Sequence, residues 1–91
     1  MKFNQIEVKN IEGAVEIVDI AKPVGNYLYS NGRDIAICEL GKQIYKGEDV
    51  ELTDEVKAMI SAMLQDYPYV LKEAIESAMG VKTETSNTEL N

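Results

Sequence analysis

Near the C-terminal end, two stretches repeat apolar residues with the period of an α-helix, and a proline sets them apart. In the first, Val56, Met59, Ile60, Met63 and Leu64 recur at intervals of three and four; in the second, Val70, Leu71, Ala74, Ile75, Ala78 and Met79 share one face. Faces of this kind must be covered, so each helix needs a packing neighbour. Thr53 stands where its hydroxyl can cap the first helix, and Asp54 and Glu55 put negative charge at the positive end of its dipole. Pro68 opens the second helix and Gly80 closes it.

Two further helices precede these. Val24, Tyr27 and Leu28 follow Pro23 at helical spacing, and Asn31-Gly32 suits a left-handed end. Asp34 can cap a helix running to about Lys46, with Ile37, Leu40, Gly41, Ile44 and Tyr45 as its buried stripe and Gly47 as its stop. At the N-terminal end the period changes to two. Ile6 and Val8, then Val15, Ile17 and Ile20, read as two short strands joined through Asn10-Ile11-Glu12-Gly13, residues suited to a hairpin turn. A lone hairpin is marginal in water, so its apolar face is expected on the helices. The expected fold is therefore α+β: an N-terminal β-hairpin packed on a small bundle of about four helices. Residues 1–80 form this single domain, and residues 81–91, rich in Thr, Ser, Asn and Glu, form a flexible, disordered polar tail.

Composition narrows the chemistry. Ninety-one residues support one modest core, and the chain carries 16 acidic against 9 basic side chains, for a net charge of −7. Neither a signal-peptide h-region nor a run of roughly 20 apolar residues occurs, so a cytoplasmic protein without membrane association is expected. There is no histidine and only one cysteine, which removes zinc-finger, haem-ligand and Cys-His nucleophile arrangements. Cys38, between Ile37 and Glu39, reads as a buried structural thiol. The acidic stretch Glu48, Asp49, Glu51, Asp54 and Glu55 lacks the spacing of a calcium loop and reads as a solvated, helix-capping segment. Gly25 to Gly32 lacks the lysine and hydroxyl residue of a phosphate loop. No cofactor and no catalytic residue is indicated, so a non-enzymatic protein is expected.

The basic residues read as few and scattered, with no basic segment, so nucleic acid is disfavoured as a partner. The helices Asp34–Lys46 and Thr53–Gln65 could be drawn as a helix-turn-helix, but Asp54 and Glu55 would then face phosphate. Tyr27, Tyr29, Tyr45, Tyr67 and Tyr69 lack the positive groove that base stacking needs; they sit at the core margin or serve as anchors at a protein interface. Met59, Met63 and Met79 belong either to the core or to an adaptable binding groove.

The run Gly25-Asn26-Tyr27-Leu28-Tyr29, then Asp34-Ile35, Leu40-Gly41-Lys42-Gln43-Ile44-Tyr45-Lys46-Gly47-Glu48 and Val50-Glu51-Leu52-Thr53 resembles small uncharacterised proteins of bacteriophage and prophage origin, over about Lys22 to Leu64. The resemblance implies an accessory protein of a phage or integrated element and carries over no catalytic residue. Two functions fit these features. One is an interaction or assembly protein that binds a protein partner or itself through Tyr27, Tyr29, Tyr45, Tyr67, Tyr69, Met59 and Met63. The other is an acidic regulator that binds or blocks a nucleic-acid-binding protein.

Overall fold

The structure is a computed structural model that describes residues 1–81; the expectation of a flexible tail falls, from residue 82 onward, outside the described residues. Strand β1 (Ile6–Lys9) pairs antiparallel with β2 (Val15–Val18), Ile6 facing Val18 and Lys9 facing Val15. The hairpin thus closes within the chain. Its turn is tied by the Asn10 side chain, which accepts from the N–H groups of Glu12 and Ala14 at 2.9 and 3.0 Å, while Gly13 takes φ +87°.

Four α-helices follow: α1 (Ala21–Asn31), α2 (Ile35–Tyr45), α3 (Asp54–Met63) and α4 (Tyr69–Met79), with a single 3₁₀ turn at Leu64–Asp66 between the last two. Helix α1 begins two residues before Pro23, which stays within the first turn, where its missing N–H costs nothing. Gly32 ends α1 in extended rather than left-handed backbone, its N–H donating to the Leu28 carbonyl at 2.8 Å. The caps of α2 and α3 are as expected: Asp34 accepts from the Ile37 N–H at 3.0 Å and Thr53 from the Val56 N–H at 3.2 Å. Pro68 occupies the position just before α4, and Gly80, at φ +80°, closes it.

Phe3, Ile6, Val24, Leu28, Ile44, Ile60, Leu64 and Ile75 form the centre of the core. Helix α1 lies along α2 and also meets α3, and α4 packs against β1 and α3. The N-terminal residues are tied to the middle of the chain: Val50 N–H donates to the Met1 carbonyl at 2.9 Å, the Met1 amino group bonds Asp49, and Ile20 N–H donates to the Phe3 carbonyl at 2.9 Å.

Several apolar residues lie elsewhere than periodicity suggests. Ile6 and Ile20 are buried, but Val15 and Ile17 are 54% and 60% exposed, because β2 has no helix over the face they share. Val70 opens α4 in solvent, and Tyr45 leaves the buried stripe of α2 for the surface. Cys38 is half-buried rather than enclosed, with its thiol 3.5 Å from the Tyr29 carbonyl. Among the described residues, no helix is long and apolar enough to cross a membrane.

Candidate functional site

Gly25 on α1 and Gly41 on α2 bring two helix backbones into contact. A Cβ on Gly25 would lie 2.6 Å from the Gly41 carbonyl oxygen, and one on Gly41 would lie 2.8 Å from the Gly25 carbonyl oxygen. No larger residue leaves room for this approach. One turn beyond each glycine stands a tyrosine, Tyr29 on α1 and Tyr45 on α2, which are 54% and 44% exposed. With the helices held so close, the tyrosines become the walls of a shallow cleft whose floor is the glycine crossing. The cleft encloses about 270 Å³, has a mainly apolar lining, and is completed by Asn26, Lys42 and Lys46.

Cations frame this cleft. The Lys22 ammonium lies 5.8 Å from the centroid of the Tyr45 ring, and the Lys42 ammonium 5.8 Å from that of Tyr29. Lys42 also reaches Glu39 at 3.3 Å, an exposed pair of small energetic weight. The expectation that no segment is basic therefore needs correction. Residues 20–47 hold Lys22, Arg33, Lys42 and Lys46 against Asp34 and Glu39, a balance of +2, whereas residues 48–81 hold eight carboxylates against Lys57 and Lys72, a balance of −6. The fold gathers three of the four basic residues on one side of the α1–α2 pair.

The other interaction candidates are dispersed. Tyr27, Tyr67, Met59 and Met63 are partly buried and pack against the core from different elements, while Tyr69 is exposed at the start of α4 beside Val70. None of these four partly buried residues lines the cleft, and neither does Tyr69. Sequence reasoning missed the glycine crossing and the lysines. The signal was there in Gly25/Tyr29 and Gly41/Tyr45, a repeated glycine and tyrosine four apart on two consecutive helices.

A second groove, about 380 Å³, runs between α2 and α3, with Ile37, Leu40 and Val56 inside and Asp34, Glu39 and Glu55 at its rim. Among the described residues, no three Asp, Glu or Cys side chains converge as metal ligands would. Asp49, in the acidic stretch, is instead engaged by the Met1 amino group. That hydrogen bond and the positive charge behind it hold its carboxyl below the ordinary value of 3.8. Among the described residues the one buried charged side chain, Glu76, is answered by Lys72 at 3.3 Å, one turn earlier on α4.

Comparison with protein-family models, with curated proteins and with solved structures finds no match.

Proposed function

We propose that this protein is a non-enzymatic interaction protein that docks a protein partner on the α1–α2 face. The observation that carries this reading is the pair Tyr29 and Tyr45, held in the open on either side of an apolar cleft by a glycine crossing that admits no larger residue. Tyrosine offers a large rigid surface at little entropic cost and is enriched at interfaces. A backbone crossing fixes the spacing of the two rings before any partner arrives, which lowers the ordering cost of binding. The resemblance over Lys22–Leu64 adds a setting, an accessory protein of a phage or integrated element acting on a phage or host protein or on its own copies.

The test is recovery of a stoichiometric partner by tagged protein from its native host after nuclease treatment, read by mass spectrometry. The double variant Tyr29→Ala/Tyr45→Ala loses the partner, and Tyr69→Ala, exposed on another element, retains it. Retention by the double variant refutes the reading. A second reading, the acidic regulator, draws on the excess of six negative charges in residues 48–81 and on the acid-rimmed groove between α2 and α3. It requires capture of a basic nucleic-acid-binding protein that weakens steeply with salt and is insensitive to the tyrosine variants.

A further inference from the structure

We infer that the partner segment received by the α1–α2 cleft is acidic: a polypeptide stretch that seats one apolar side chain between Tyr29 and Tyr45 and sets carboxylates against Lys22, Lys42 and Lys46. The inference rests on the docking role proposed above and specifies the partner's chemistry. Its ground is charge complementarity. The cleft lies in residues 20–47, whose balance is +2, on a protein whose total is −7. A partner guided by the overall field would be basic and would meet like charge at this face, whereas a compact acidic segment meets opposite charge there.

Size and geometry narrow the occupant. At about 270 Å³, the cleft is below the range of about 300–1,000 Å³ usual for sites that enclose a small organic ligand, and it suits a single anchoring side chain. Lys42 on α2 and Lys46, the residue that caps its C-terminal end, are one turn apart, a rise of about 6 Å, so carboxylates spaced by one helical turn on a partner helix match both. Glu39 holds Lys42 only by a surface pair, and a partner carboxylate displaces it at little cost. A single-stranded nucleic acid would also bring negative charge and stacking bases. Base stacking on Tyr45 and Tyr29, however, would have to displace Lys22 and Lys42 from their rings, whereas a carboxylate can pair with either ammonium where it stands.

The test uses the full chain, isotope-labelled for NMR and titrated with three probes. One is a synthetic peptide with a central phenylalanine flanked by glutamates spaced by one helical turn; the others are its glutamine counterpart and an oligothymidylate of similar length. The acidic peptide shifts the amide resonances of Gly25, Gly41 and Lys42, binds at least about tenfold more tightly than the glutamine peptide, and weakens at least about tenfold between low and molar salt. Lys42→Glu/Lys46→Glu abolishes that preference, and Lys9→Glu, exposed on β1, leaves it intact. Equal affinity for the two peptides, tighter binding of the oligothymidylate, or no shift at Gly25 and Gly41 overturns the inference. The two proposals fail separately. If the native partner is lost with Tyr29→Ala/Tyr45→Ala yet kept by Lys42→Glu/Lys46→Glu, the docking role stands and the acidic partner falls.

Discussion

A methyl group on residue 25 would sit 2.6 Å from the carbonyl oxygen of Gly41 and 2.8 Å from both the nitrogen and the Cβ of Tyr45. Every one of those atoms is backbone or fixed directly to it, so none can swing aside, and Gly25→Ala must push α1 and α2 apart. Two effects of opposite sign compete. Alanine is the better helix former by about 1 kcal/mol, while overpacking a closed contact costs about 1–3 kcal/mol, with a rigid backbone neighbour at the upper end. The net expectation is a loss of about 2 kcal/mol. For a domain of this size the urea dependence is near the low end of the usual range, so the unfolding midpoint falls by about 1.5–2 M. Asn26→Ala, exposed on the same helix, supplies the propensity gain without the clash and raises the midpoint slightly. Equilibrium urea unfolding followed by circular dichroism reads both. An unchanged or raised midpoint for Gly25→Ala refutes the close crossing and, with it, the cleft that Tyr29 and Tyr45 are said to frame.

Three other outcomes follow from the same geometry. Asp34→Ala and Thr53→Ala each remove the side-chain cap of a helix and lower stability by about 1 kcal/mol in urea unfolding. Asp49 has a carboxyl pKa lowered in the folded state, so its contribution is present above the unfolded value, near ~4, and is lost as the pH falls through the lower folded value. The stability difference between wild type and Asp49→Asn is accordingly full at neutral pH and shrinks towards zero in acid, and a difference constant down to pH ~2 contradicts the Met1–Asp49 contact. Ile17→Lys, on the uncovered face of β2, changes stability by less than about 0.5 kcal/mol and suppresses any association that grows with concentration in sedimentation runs, whereas a loss above about 1 kcal/mol means that the face is covered.

The parts of the fold legible in the sequence are those in which a local rule and the tertiary environment agree. Val56, Ile60 and Leu64 repeat at helical spacing and are all buried; Asp34 and Thr53 are cap residues by type and do cap. Period alone fails where burial depends on what lies opposite. Val15 and Ile17 alternate with Glu16 as a half-buried strand should, but they pair with Lys9 and Glu7 and so lie on the face of the hairpin opposite Ile6 and Val18, the pair turned to the core. Tyr45 sits at a position of α2 that the stripe Ile37, Gly41 and Ile44 appoints to the core. The approach of α1 at Gly25 leaves no room beneath the ring, and Tyr45 turns to the surface.

The candidate site was hidden for a related reason. Its residues are Lys22, Gly25 and Tyr29 from one helix and Gly41, Lys42, Tyr45 and Lys46 from the next, so a linear count spreads its charge over 25 residues and dilutes it with Asp34 and Glu39. Only the antiparallel return of α2 along α1 superposes the two halves, and only paired glycines let them come close enough to share a cleft. Gly25 and Gly41 also show why such a site can be carried by a small domain. Each glycine sacrifices about 1 kcal/mol of helix propensity, a considerable cost for a core of this size, and gains for it a fixed spacing between two exposed rings that flexible side chains on separated helices would not hold.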